Sequence, residues 1–195
     1  MYKTVVFDLD GTLLNTLTDL ADAGNRLCQK YGWPTHERQA YRYFVGNGIP
    51  KLVERLAPAD QRTPAVLEAA LADFKRDYGQ HLRDTTAPYP GIPEMLAKLK
   101  ANGVQLAVFS NKADALAKEV VKDYFGTQYF TIVRGQMTGV APKPAAEGTN
   151  ACCRPCMPTR PAPYMWGTAT WMWKPPTMRT CPAAGRCGDS ARGRN

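Results

Sequence analysis

Two carboxylates stand two residues apart near the N-terminus, Asp8 and Asp10, followed directly by Gly11 and Thr12. They end a short apolar run, Thr4-Val5-Val6-Phe7, which is β-branched at its start and reads as a buried strand over residues 4–8. A turn at Gly11 can bring the second carboxylate back toward the first, so that both face one substrate. Such a pair can divide the work of phosphoester hydrolysis. One carboxylate attacks phosphorus and carries the phosphoryl group, while the other protonates the leaving oxygen and then activates water. A divalent cation would screen both from an anionic substrate. Asp-x-Asp-Gly is also an ordinary loop-capping turn. The apolar strand before it and Thr12-Leu13 after it weigh against that plainer origin.

Residues 16–31 have helical spacing, with Leu17, Leu20, Ala21, Leu27, Cys28 and Tyr31 on one face and Gly32 closing the run. Gly24 lies in the middle of that face, where it costs helix stability but leaves room for close packing. A second helix is predicted over 64–82, with Pro64 in its first turn and an apolar face of Val66, Leu67, Ala70, Leu71, Phe74 and Tyr78. Between them lie the glycine-rich segment Gly46-Asn47-Gly48 and a short helix through Leu52 and Val53. After Pro88-Tyr89-Pro90-Gly91 the pattern alternates: a helix from Pro93 through Leu99, a strand over 105–109, a helix over 113–123 and a strand over 129–133. Strand–helix–strand units with short links predict a parallel sheet with ligand groups at the carboxyl ends of its strands. The helical stretch 15–86 is then an insert just after the first strand.

The run Val5-Val6-Phe7-Asp8-Leu9-Asp10-Gly11-Thr12-Leu13-Leu14 resembles motif I of haloacid dehalogenase (HAD)-type phosphatases. The resemblance implies that Asp8 is the nucleophile, that Asp10 is the acid/base, and that both belong to a Mg²⁺ site. Dehalogenases of the superfamily lack the second carboxylate, so Asp10 favours phosphoester chemistry. Ser110, at the end of the strand Leu106-Ala107-Val108-Phe109, resembles motif II, whose hydroxyl and following N–H bind phosphoryl oxygens; Asn111 and Lys112 continue that pattern. Alone, a serine at a strand end is usually a helix N-cap. Lys143-Pro144 resembles motif III, a lysine that neutralises charge on the phosphorylated aspartate, although Ala146 stands where the family form has a second proline. Gly46, Asn47 and Arg55 are similar to the substrate-facing loop of the phosphoglycolate phosphatase branch, with Gly11 and Thr12 joining them around the substrate. By themselves those glycines read as an interhelical turn.

The likeness covers residues 1–150 and then stops. Residues 1–150 hold 18 Lys+Arg against 16 Asp+Glu, whereas 151–195 hold seven against one, Asp189. The net charge of +8 therefore comes mostly from the tail. Five of the six cysteines also lie in the tail (152, 153, 156, 181 and 187), and it contains no Leu, Ile, Val or Phe. The family's motif IV, a strand ending in paired acids that complete the Mg²⁺ site, has no counterpart there. A frameshift near Asn150–Ala151 explains this composition. Read from the third base of each codon, Met165-Trp166-Gly167 must give Val-Gly, and Trp171-Met172-Trp173-Lys174 must give Asp-Val-Glu. Permitted codon choices between them yield V-G-D-S-D-V-D-V-E, a motif IV sequence. A zinc site built on Cys153-x-x-Cys156 fits poorly, because the second cysteine gap is five residues and no histidine is near. A disulfide framework conflicts with a cytoplasmic setting, and a basic, Trp-bearing nucleic-acid arm is the weaker explanation of the same residues.

The expected architecture is therefore α/β: a doubly wound parallel HAD core (1–14 and 87–150), an inserted small helical cap (15–86), and an aberrant, disordered tail (151–195) that is not native-like. Without the motif IV strand, the first strand is predicted to become an exposed sheet edge. No apolar run approaches membrane-span length, and the chain opens directly into a strand, so a soluble cytoplasmic protein is expected, acting on neither membrane nor nucleic acid. The expected reaction is Mg²⁺-dependent hydrolysis of a small phosphomonoester through an aspartyl phosphate, with 2-phosphoglycolate the foremost substrate. Two alternatives stand beside it: a phosphatase or phosphomutase for a small sugar phosphate, and a catalytically dead remnant serving as an interaction protein.

Overall fold

The computed structural model describes residues 4–143 and the backbone of 164–166 and 179–180. Strand β1 (Thr4–Phe7) enters the Asp8 loop, and β2 (Leu14–Asn15) leaves it. Four α-helices follow, with short 3-10 turns between them: α1 (Leu17–Tyr31), α2 (Tyr41–Phe44), α3 (Ile49–Leu56) and α4 (Pro64–His81). The chain returns through β3 (Ala87–Pro88) and continues as α5 (Ile92–Ala101), β4 (Gln105–Ala113), α6 (Asp114–Phe125) and β5 (Phe130–Gln136). Two short strands complete the described part, β6 (Tyr164–Trp166) and β7 (Arg179–Thr180).

The main sheet has the order β5-β4-β1-β6-β7, and all its pairings are parallel except β6 with β7. Its central strands are continuous apolar runs because helices and loops cover both faces. Val6 and Phe7 of β1, and Leu106, Ala107 and Val108 of β4, are essentially inaccessible. The α/β class with an inserted helical unit follows from this arrangement.

One expectation is corrected here. Strand β1 is not an edge, since β6 lies parallel to it with Val5 opposite Tyr164 and Phe7 opposite Trp166. Parallel pairing uses main-chain N–H and C=O groups, which any sequence supplies, and aromatic residues suit extended backbone. The strand falls on the codons whose shifted reading forces Val-Gly. The rest of the tail that the composition assigns to disorder lies outside the described residues.

The helical insert forms for local reasons that the sequence already carries. Helix α1 ends where Gly32 takes the left-handed conformation at φ 68°, and Trp33 N–H closes the turn onto the Cys28 carbonyl at 2.8 Å. Helix α4 begins with Thr63 as N-cap, its hydroxyl accepting from Val66 N–H, and Pro64 in the first turn. Its buried face, Ala70, Phe74 and Tyr78, repeats every four residues and packs on α1 and α3. At Gly24 a Cβ would lie 2.5 Å from the Tyr41 ring, so only glycine lets α2 seat on α1.

The insert joins the core through a two-stranded neck in which β2 pairs antiparallel with β3. Beside that neck, buried Asp19 accepts N–H bonds from Thr85 (2.9 Å) and Thr86 (3.0 Å) and bonds from both threonine hydroxyls. The outgoing and returning linkers are thereby clamped together. The sequence reading contained no sign of this clamp, because it unites residues 66 and 67 positions apart.

Candidate active site

Asp8 follows β1 directly, and β1 is central in the sheet, so its carboxylate emerges at the carboxyl edge of the strands. Its Oδ1 accepts the Leu9 N–H at 2.8 Å and lies 2.7 Å from Lys143 Nζ. Lys143 also donates to the Phe109 carbonyl at 2.8 Å, and its side chain is 12% exposed. Burial raises the Asp8 carboxyl above the ordinary carboxylate range, against the opposing pull of the Lys143 ammonium.

Asp10 stands on the far side of the Asp8 loop, turned back by Gly11 at φ 75°, whose N–H bonds to the Leu14 carbonyl at 2.8 Å. Thr12 is buried, and its N–H reaches the Leu9 carbonyl at 3.2 Å. Gly11 and Thr12 therefore build the turn that aims Asp10. Asp10 Oδ1 pairs with Lys112 Nζ at 3.1 Å, and Lys112 also donates to the Tyr78 hydroxyl of α4 at 2.9 Å. Burial opposes the Lys112 charge, but Asp10 and Tyr78 overcome it and hold the ammonium above its usual range.

Ser110, Asn111 and Lys112 all serve this one region, although neighbouring strand residues ordinarily face opposite ways. The reason is an irregularity: the register between β4 and β5 shifts between Phe109 and Ala113. Gly135 on β5 makes room for it. A Cβ there would lie 2.4 Å from the Lys112 carbonyl oxygen, and its N–H instead bonds to Asp114 at 2.9 Å. Strand β4 consequently runs to Ala113, beyond the end at 109 that the apolar pattern predicts. Ser110 is 2% exposed, and its hydroxyl accepts the Lys112 N–H at 3.1 Å.

The cap loop reaches the core through Asn111. Its amide donates to the Gly46 carbonyl at 2.8 Å, and its side-chain oxygen accepts the Lys143 N–H at 2.8 Å. Gly46 and Gly48 both have positive φ, 100° and 85°. Arg55 is committed to the loop itself, donating to the Tyr43 and Phe44 carbonyls and, at 3.0 Å, to the Asn47 amide oxygen. It therefore shapes the loop that Asn47 presents. Asn47, Gly48 and Lys51 of the cap and Asn111 and Gln136 of the core border a cleft of about 520 Å³.

The structure thus brings together Asp8, Asp10, Ser110, Asn111, Lys143 and Gly46, and places Asn47 at the cap side of the neighbouring cleft with Arg55 bonded behind it. Sequence reasoning left two residues without a role, Lys112 and Tyr78. The signal available was slight: a lysine beside Asn111, and a tyrosine on an apolar helical face. A divalent-cation site fits only in part. Among the described residues no group of three His, Cys, Asp or Glu could hold a metal ion, and Asp8 and Asp10 are each already paired with an ammonium. A hard dication of this kind takes about six oxygen ligands. The described donor set falls short of that, and no acid stands between Glu147 and Asp189.

No helix among the described residues is long and apolar enough to cross a membrane. The model of the haloacid dehalogenase-like hydrolase family matches residues 5–156. The chain is 34% identical over 134 residues to the phosphoglycolate phosphatase of Thiobacillus denitrificans, covering 67% of this chain and 59% of that protein. With the phosphoglycolate phosphatase of Chromobacterium violaceum it shares 32% over 155 residues, covering 78% and 70%. It therefore spans only about six tenths of the length of the Thiobacillus relative. A solved structure of a candidate phosphoglycolate phosphatase from Lactobacillus delbrueckii subsp. bulgaricus superposes with a TM-score of 0.74 at 28% identity, covering 80% of this chain and 73% of that one. With Asp8, Asp10, Ser110 and Lys143 gathered at one sheet edge and a family match over most of its length, the chain belongs to the haloacid dehalogenase-like hydrolases.

Proposed function

We propose that this chain derives from a phosphomonoester hydrolase that works through an aspartyl phosphate, with 2-phosphoglycolate as the foremost substrate. The observation that carries the reading is the pairing of Asp8 with Lys143: one oxygen is pinned by an ammonium and an N–H, and the other is left to attack. In the proposed cycle Asp8 Oδ2 forms a bond to phosphorus while the bond from phosphorus to the ester oxygen breaks. The ester oxygen takes the electron pair and a proton from Asp10, leaving as the alcohol. Asp10, now a carboxylate, removes a proton from water, whose oxygen attacks phosphorus and releases Asp8 and phosphate. Ser110 and the adjacent N–H groups would bind the phosphoryl oxygens, and Lys143 would offset their charge. The cap, residues 15–86, would close over a small acid at the Gly46–Gly48 loop and exclude water. A small sugar phosphate is the alternative substrate, and the cytoplasm is the proposed setting.

Mg²⁺ enters this proposal with a condition. Asp8 and Asp10 would supply part of its shell, and the acids encoded in the shifted frame beyond codon 150 would supply the rest. In its present frame the chain is accordingly proposed to turn over slowly or not at all, which is the second reading, a catalytically silent remnant. Phosphate release from 2-phosphoglycolate and from sugar phosphates with Mg²⁺, measured on this chain, its Asp8→Asn variant and a frame-restored form, separates these readings. Turnover in the parent that Asp8→Asn abolishes supports the enzyme. A folded parent with none, beside an active restored form, supports the remnant. Sequencing the gene around codon 150 tests the shift directly, and an intact single reading frame there would refute it.

A further inference from the structure

Lys112 is the most deeply buried cation whose surroundings are described, with a side chain 3% exposed. Its ammonium has three neighbours: Asp10 Oδ1 at 3.1 Å, the Tyr78 hydroxyl at 2.9 Å, and the face of the Tyr78 ring, whose centroid is 4.9 Å away. Burying a lysine is costly when nothing fixed receives its charge. A methyl-terminated side chain would fill the same space at lower cost if packing were the only requirement. The cation is directed instead at one oxygen of the residue assigned to proton transfer. Tyr78 comes from α4, inside the helical insert, so it approaches the ammonium from outside the strand that carries Lys112.

We propose that Lys112 is the positioning residue for Asp10: it holds Oδ1, anchored by Tyr78, so that Oδ2 faces the ester oxygen. The inference rests on the phosphomonoesterase reading above. Lys112 does not touch the substrate and transfers no proton. It fixes the rotamer of a carboxyl group that is 24% exposed and would otherwise swing. The effect is confined to the step in which Asp10 Oδ2–H gives its proton to the departing oxygen as that oxygen takes the electrons of the breaking P–O bond.

The test exploits leaving groups that differ in their need for that proton. An aryl ester such as p-nitrophenyl phosphate departs as a stable anion, whereas an alkyl ester such as 2-phosphoglycolate needs protonation. The ratio kcat/KM reports the steps up to the first irreversible one, so it isolates formation of the aspartyl phosphate. In Lys112→Met, kcat/KM for the alkyl ester is expected to fall about 100-fold, the scale of one general acid, and for the aryl ester less than about fivefold. Lys112→Arg should restore part of the alkyl activity. Tyr78→Phe keeps the charge but loosens its anchor, and it should show the same bias toward the alkyl ester at about tenfold. It also serves where Lys112→Met does not fold, as judged by circular dichroism.

Equal losses on both esters, or none, in a folded variant overturn the assignment, because a side chain acting only through packing does not distinguish leaving groups. A folded parent chain inactive on both esters favours the catalytically silent reading above and overturns this role with it, whereas equal losses in an active chain overturn the role alone.

Discussion

The side-chain amide of Asn111 donates to the Gly46 carbonyl at 2.8 Å, tying the tip of the helical cap to the end of β4. Because the same side chain accepts the Lys143 N–H, the cap loop and the lysine beside Asp8 are held by one residue. In Asn111→Ala these bonds vanish together with the amide's longer bond to the Lys143 carbonyl, each worth about 1 kcal/mol net. Amide hydrogen exchange over residues 44–48 and 141–143 is expected to rise about tenfold. Exchange unchanged at both segments would mean that other contacts hold the loop.

Asp19 predicts a stability loss that the active-site residues do not share. It is 2% exposed and receives four bonds from Thr85 and Thr86. Asp19→Ala leaves those donors without their acceptor and is expected to cost about 2–3 kcal/mol. The exposed neighbour Asp22, changed to Ala, should stay within about 0.5 kcal/mol. Urea denaturation of the two variants measures the difference.

Gly24 should accept no side chain. A methyl group there meets the Tyr41 ring at 2.5 Å, and overpacking of this kind costs about 1–3 kcal/mol. Replacing Tyr41 by Leu in the same chain removes the obstacle. The double variant is therefore expected to lose less than the sum of the singles, and strict additivity in a denaturation cycle would contradict the packing.

Cys28 is fully buried on the inner face of α1, and burial pushes its thiol up to about 11. The thiolate is the reactive form, so at pH 8 iodoacetamide should leave the Cys28 peptide unmodified in the native chain and label it in denaturant. Mass spectrometry of that peptide reads the outcome, and native labelling would show that α1 opens readily.

Asp73 sets an acid limit on the cap. Bonds from Lys30 and Tyr31 hold its carboxyl below the usual carboxylate range, with Arg76 adding to them. A group whose pKa is lowered by folding adds stability above its unfolded value and loses it as the pH falls through the folded one. The thermal midpoint is therefore expected to drop on acidification below about pH 4, the ordinary Asp value. Asp73→Asn should flatten that dependence, and melts from pH 3 to 6 compare them.

Much of the candidate site's layout was legible in one dimension because motif residues lie at the ends of apolar strands. Asp8 ends β1 and Ser110 lies in β4, and parallel strands deliver their carboxyl ends to one edge. The helical faces were legible too, since Leu20, Leu27, Phe74 and Tyr78 repeat at helical spacing and are buried. Arg55 shows what the family likeness could not give: it placed the residue at the cap loop, and only the structure shows its donors on the Tyr43 and Phe44 carbonyls.

The sequence by itself determined the strand and helix periods, the family likeness of residues 1–150, and the break in composition after them. Those properties depend on neighbours along the chain or on codons. Only the tertiary structure decided that Lys112 faces Asp10 across 102 positions, that Asp19 clamps the neck, and that β6 lies beside β1. Each of these joins residues far apart in the chain through hydrogen-bonding groups that carry no periodic pattern. The register shift at Phe109–Ala113, permitted by the missing Cβ of Gly135, is what turns three consecutive residues toward one site.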